Sequence, residues 1–235
     1  MRLICSLLLP LAALPAQALA SPGRGDDADG ATVERGAIDS SLIYDRLTGG
    51  PQDGVDLLQI GATYGATDRL RLGMQASFER EPGSARRVDT VGAEALLNVG
   101  RVGPFDIAVY GTYDIGIDSP DTIEGRVILE HSKGPFALRI NLIGTKDLGA
   151  GQSLELGYAI AADIEAAPRL RLGVQGFGEF GTFDRLLPHG GHAFGPVATY
   201  RLNEGINLRC GYLFTIGKAR DDADGQLRLG LEFGF

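Results

Sequence analysis

The last ten residues, Gln226 to Phe235, read QLRLGLEFGF. Leu227, Leu229, Leu231, Phe233 and Phe235 share one parity, and Gln226, Arg228, Gly230, Glu232 and Gly234 share the other. Alternation of this strictness is the period of a strand with one apolar and one polar face. It continues to the terminal carboxylate without a tail. A sheet in water has no need to finish that way, and the ending fits a strand that closes a sheet in lipid. The rest of the chain is therefore expected to supply the partners of this strand.

The same period recurs upstream in segments near the roughly 9–11 residues that a tilted membrane strand needs. The first, Gly36 to Leu47, alternates poorly, with Leu42 and Tyr44 as its outward pair. Leu58, Ile60, Ala62 and Tyr64 form the next apolar row, and Leu70, Leu72, Met74, Ala76 and Phe78 the third. Rows led by Val91, Phe105, Ile123, Phe136, Leu154, Leu170, Phe194 and Ile206 follow. The pattern predicts an all-β chain, a transmembrane antiparallel β-barrel of about 12 strands, an even number as in single-chain bacterial barrels. Short turns at Gly65–Asp68, Gly100–Gly103, Ser132–Gly134, Glu165–Pro168 and Asn203–Gly205 alternate with generally longer connections. That asymmetry assigns the short turns to the periplasmic end and the longer loops to the outside. Aromatic residues sort to both ends of the predicted strands, with Tyr64, Phe105, Phe136, Tyr200, Phe233 and Phe235 at one end and Phe78, Tyr113, Phe180, Phe194 and Phe214 at the other. Two girdles around an aliphatic band match a lipid–water gradient, although the absence of Trp makes them thin. A soluble β-sandwich shares the alternation but gives no reason for this sorting.

Ahead of the barrel, residues 1–20 carry one charge, an apolar run and Ala18-Leu19-Ala20 before Ser21. These are the features of a cleaved signal peptide, which imply export. Residues 21–34, SPGRGDDADGATVE, are small, acidic and turn-rich and are expected to form a disordered leader. Residues 35–235 are expected to be the barrel. A formal charge of −8 makes nucleic acid an unsuitable partner. After cleavage only Cys210 would remain, so no intramolecular disulfide is expected.

The polar row faces the barrel axis in this reading and carries the candidate site. Its pore-lining candidates are Arg69, Arg71, Glu79, Glu94, Asp114, Glu124, Arg126, Arg139, Glu155, Arg169, Arg171, Glu179, Arg201, Arg209 and Arg228. By depth, the arginines gather in the periplasmic half and the carboxylates toward the outside, an acidic mouth above a basic throat. The same residues could instead pair and fill the lumen, serving stability alone. Both readings stay open. Arg69-Leu-Arg-Leu-Gly-Met-Gln75 returns as Arg169-Leu-Arg-Leu-Gly-Val-Gln175, which equivalent strands after equivalent turns would explain.

Other motifs carry less. His189-Gly-Gly-His192 with Asp184 could meet a metal, but a solvated loop explains it as well. Gly176-Phe-Gly-Glu-Phe-Gly181 matches a dinucleotide fingerprint in a strand, where no helix can follow to hold a pyrophosphate. Asp221 to Gly225 lacks the downstream carboxylate of a calcium loop. No G-x-S-x-G occurs, and His131 and Ser132 point to opposite faces of a strand, so an enzyme is not expected. No cofactor is expected.

The closing strand and the turn Tyr64-Gly-Ala-Thr-Asp-Arg-Leu-Arg-Leu-Gly73 resemble those of Gram-negative outer-membrane β-barrel proteins, in particular small porin-like transporters of the phenol meta-pathway type. The resemblance implies passive passage of small solutes across an outer membrane. It also implies contact with outer-membrane lipid and lipopolysaccharide, and recognition by the barrel-assembly machinery through Leu231, Phe233 and Phe235. Three readings follow: a channel for small-molecule solutes; a structural or surface-interaction barrel with an ion-pair-filled lumen; and, less favoured, a lipid-acting enzyme.

Overall fold

The computed structural model describes residues 27–186 and 190–235. The predicted signal peptide, the start of the leader and His189 lie outside these residues. The described chain is built of β1 (Ile38–Thr48), β2 (Asp56–Gly65), β3 (Leu70–Arg80), β4 (Arg87–Val102), β5 (Phe105–Gly116), β6 (Thr122–Lys133) and β7 (Phe136–Asp147). It continues with β8 (Glu155–Ala167), β9 (Leu170–Thr182), β10 (Arg185–Leu186), β11 (Gly191–Asn203), β12 (Ile206–Gly217) and β13 (Gly225–Gly234). β10 is a two-residue extension that pairs only with the end of β9. The other twelve strands are the staves of the barrel, each antiparallel to its neighbours.

Closure is made by the two ends of the sheet. β13 pairs with β1 from Asp39↔Gly234 to Thr48↔Gly225 and with β12 along its other edge. The alternating C-terminal run is thus hydrogen-bonded on both sides, and the sheet has no free edge. Hydrocarbon offers no partner to a backbone N–H or C=O, so only a closed sheet can stand in it. β4 reaches 16 residues, past the apolar row that marked it, whereas β1 begins at Ile38, after the predicted start at Gly36.

The two faces are inverted relative to a protein in water. Met74 is 66% exposed and Phe214 57%, with Leu72, Ile115, Val127, Leu142, Ile164 and Ile216 exposed on the same outer surface. Buried residues include Asp45, Asn141, Gln175 and Arg228, all on the inner row. In a soluble fold a buried charge must be paired and large apolar patches are covered. Here the continuous exposed surface is apolar and the polar row is enclosed, which excludes the sandwich.

Most of the outward aromatics expected at the two ends are exposed there, Tyr64, Phe136, Tyr200 and Phe235 at the short-turn end and Tyr113, Phe180, Phe194 and Phe214 at the other, while Phe78, Phe105 and Phe233 are half-buried. Short turns join β2–β3, β4–β5, β6–β7, β8–β9 and β11–β12. In the β8–β9 turn Pro168 precedes Arg169, whose φ of 73° is the left-handed conformation that the third position of a type II turn requires. At the opposite end the β1–β2 and β12–β13 connections are tied together. Gln52 donates from its backbone N–H to the carbonyl oxygen of Asp222 (2.9 Å), and Leu47, Val55 and Ala223 pack beneath them.

Candidate functional site

The lumen is occupied in part by the chain's own N-terminal segment. Gly36 donates its N–H to the carbonyl oxygen of Gly65 (2.8 Å), bringing the chain in at the short-turn end. The approach is close enough to need glycine at that point. A Cβ on Gly65 would lie 1.9 Å from the carbonyl oxygen of Glu34. From there residues 27–34 run without regular secondary structure inside the barrel. Ala31 donates to Glu130 Oε2 (2.8 Å) and accepts from Asn98 Nδ2 (2.8 Å). Asp29 donates its N–H to Asn141 Oδ1 (2.8 Å), and Asn141 Nδ2 returns a bond to the Asp29 carbonyl (3.1 Å). These side chains replace the strand partner that the segment lacks, satisfying backbone groups that burial would otherwise leave unpaired.

The expectation of a disordered leader is corrected for these residues. Composition suggested disorder because the segment is acidic and poor in large apolar groups. Inside the barrel those carboxylates meet arginines. Asp27 pairs with Arg209 and accepts from Gln175 Nε2 (2.8 Å). Asp29 lies 3.2 Å from Arg126 and 3.7 Å from Arg71. Burial alone would raise the Asp27 pKa, but the guanidiniums of Arg209, Arg228 and Arg139 outweigh it and hold the carboxyl at about 2, below its ordinary 3.8. Small side chains let the segment pack closely. Ala28 sits among Ile143, Ala159, Ala161, Phe177, Ala193 and Leu213, and Ala31 among Leu96, Ala108, Tyr110 and Ile128.

Ion pairs and this packing close the side of the lumen formed by the later strands. Arg228, 1% exposed, makes a bidentate bond to Asp45, with Nε to Oδ1 at 2.7 Å and Nη2 to Oδ2 at 2.8 Å. Its guanidinium also stands 5.2 Å from the ring centroid of the buried Phe177. Asp163 receives Arg139 (3.0 Å) and Arg171. Arg209 bridges Asp27 and Glu232.

On the other side a cavity of about 780 Å³ remains. It lies mainly against β1–β6, between those staves and the N-terminal segment, and both ends of the strands contribute to its wall. Asp39, Glu204 and Gly205 belong to the short-turn end, Glu79, Asp89 and Thr122 to the long-loop end. Tyr110 donates to Glu94 Oε2 (2.8 Å). Gln75 Nε2 donates to Asp114 Oδ1 (2.9 Å), and the Thr112 hydroxyl to Asp114 Oδ2 (3.1 Å).

The fifteen pore-lining candidates therefore divide into groups. Arg71, Glu79, Glu94, Asp114, Glu124 and Arg126 line the cavity. Arg139, Arg171, Arg209 and Arg228 are in the lumen but are engaged in the ion pairs just described. Glu155 stands at the long-loop end of β8, and Glu179 nearby accepts from the Gly191 N–H (3.1 Å). Arg69, Arg169 and Arg201 are exposed at the short-turn rim instead of lining a pore. Strand parity placed them inward, but Arg69 and Arg169 lie in turns, outside the pleat, and Arg201 lies at the β11 register shift. The basic throat is corrected as well, because Asp27, Asp29 and Asp163 occupy the same depth as the arginines and pair with them.

Asp27, Asp29, Asp45, Gln75, Tyr110 and Asn141 were missed. One signal could have found the first two: an acidic stretch just upstream of a barrel whose inward row holds a surplus of arginine at that same end. Among the histidines, His131 Nδ1 lies 2.7 Å from the Pro104 carbonyl oxygen, and His192 Nδ1 lies 3.2 Å from the Tyr158 hydroxyl. Among the described residues no group of three His, Cys, Asp or Glu side chains is placed to hold a metal.

The fold has solved counterparts. The COG4313 outer membrane channel from Pseudomonas putida F1 superposes with a TM-score of 0.61 at 14% identity, over 89% of this chain and 99% of that one. The NanC porin gives 0.62 at 9% identity, over 83% and 98%. The KdgM porin solved in complex with disordered oligogalacturonate gives 0.58 at 10% identity, over 85% and 99%. No protein-family model matches the chain, and no curated protein is a significant match. The structural neighbours are outer-membrane porin-like barrels, and at these identities the likeness is one of fold.

Proposed function

We propose that this chain is a passive outer-membrane channel for small polar solutes. The observation that carries the reading is the 780 Å³ cavity that persists beside the N-terminal segment, walled by residues from both ends of the strands. An apolar outer face with an enclosed polar row supports insertion in lipid. Structural neighbours described as an outer membrane channel and as porins support the same direction. Residues 1–20 would direct export and be removed. The closing strand, with Leu231, Phe233 and Phe235, would be read by the barrel-assembly machinery, and the long loops would face lipopolysaccharide. Solute would pass by diffusion, without a cofactor, so the chemistry asked of the protein is only the shape and charge of the path.

The purified protein reconstituted in planar bilayers tests this. Discrete conductance steps are expected, and a tight seal at all voltages overturns the channel. One observation favours the second reading, a structural barrel. The N-terminal segment bonds to at least six staves and fills much of the lumen. The same measurement separates the two, since a filled barrel would be silent.

A further inference from the structure

We infer that the path through this barrel prefers small cations to anions, because most of the lumen's arginines are paired away from the cavity, Arg209 with Asp27 of the N-terminal segment and Arg139, Arg171 and Arg228 with the barrel's own Asp163 and Asp45. The inference rests on the channel reading. Over the whole inner row, arginines and carboxylates are both abundant, and the sequence alone suggested an acidic mouth above a basic throat. The tertiary structure divides the charges unequally. Ten carboxylates and two guanidiniums, Arg71 and Arg126, contribute to the cavity wall. Arg139, Arg171, Arg209 and Arg228 stand outside that wall, each held by a carboxylate.

The manner in which the cavity carboxylates are held matters as much as their number. Asp163 and Asp45, and within the wall Asp27, Glu232 and Glu124, are matched by guanidiniums, which cancel their charge. Glu94 and Asp114 are held by Tyr110, Gln75 and Thr112, neutral donors that fix the carboxylate in position without cancelling it. Asp29 adds to the effect from the segment side, since it lies against both of the cavity's arginines. A narrow passage in a low-dielectric wall focuses such a field, so mobile ions inside experience a negative potential along the path. Asp39 and Glu204 extend the same sign to the short-turn end.

Reversal potentials of the full-length mature protein in planar bilayers, under a KCl gradient at low ionic strength, decide this. The expected K⁺:Cl⁻ permeability ratio is on the order of ten, falling toward one at molar salt as screening shortens to a few ångströms. Asp114→Asn combined with Glu94→Gln is expected to lower the ratio by about threefold or more, and Arg71→Gln to raise it. Both exposed rim carboxylates can be changed without touching the packed interior. Asp39→Asn with Glu204→Gln therefore provides the same downward test should the buried pair fail to fold. A wild-type ratio at or below one, or a ratio unmoved by folded carboxylate variants, overturns the inference and leaves the channel reading standing. Absence of any current overturns the channel reading itself, and this inference with it.

Discussion

Asp45 and Arg228 show what a single buried pair does in a polar lumen. The guanidinium fork meets both carboxylate oxygens and lies over Phe177, so each charge has its partner and the pair excludes water. A matched pair of this kind adds little over a well-packed apolar substitute, whereas removing one member strands the other charge in a low-dielectric layer. Asp45→Ala is therefore expected to cost about 3–5 kcal/mol in urea unfolding from lipid vesicles, and Asp45→Leu with Arg228→Met much less. Equal losses for the single and double variants would show that the pair stabilises by its own attraction. Arg169 shows the opposite case. Its inward parity was legible, but the two-residue turn takes its backbone out of the pleat, and no periodicity reveals that.

The element that most changes the molecule is the one without secondary structure. Residues 27–34 carry too little apolar surface to fold alone, and a reading of composition treats them as disordered. A closed barrel supplies what they lack: arginines for Asp27 and Asp29, an amide for the Asp29 backbone, and recesses sized for Ala28 and Ala31. Deleting them removes a plug and takes Asp27 from Arg209, which keeps Glu232. The expected result is a barrel that still assembles, judged by a heat-dependent shift in gel mobility, with single-channel conductance raised severalfold. Unchanged conductance in a folded deletion would mean that the segment does not restrict the path.

At the scale of the whole molecule, stability in lipid depends on the outward row remaining apolar across the bilayer. Met74 is near the middle of β3 and is the most exposed of that strand's apolar residues. Met74→Arg should destabilise the barrel by about 2–4 kcal/mol in lipid, the cost of a charge near the bilayer midplane. The same change in the turn at the exposed Asp68 should be close to neutral. Equal effects at the two positions would contradict a hydrocarbon layer around β3.

How much of this was legible follows from the range of each interaction. Strand positions, the twelve-stave count, the outward rows and the alternation of short and long connections are local, period-two properties, and the alternating run from Gln226 to Phe235 already implied a first strand waiting to pair with it. Which inward charges face each other is set by separations of many residues: Asp45 with Arg228, Asp27 with Arg209, Asp29 with Arg126. Only closure of the sheet brings them together. Closure also creates the enclosed volume that orders the N-terminal segment and leaves the acidic cavity to one side, because a compartment has no counterpart in any stretch of sequence.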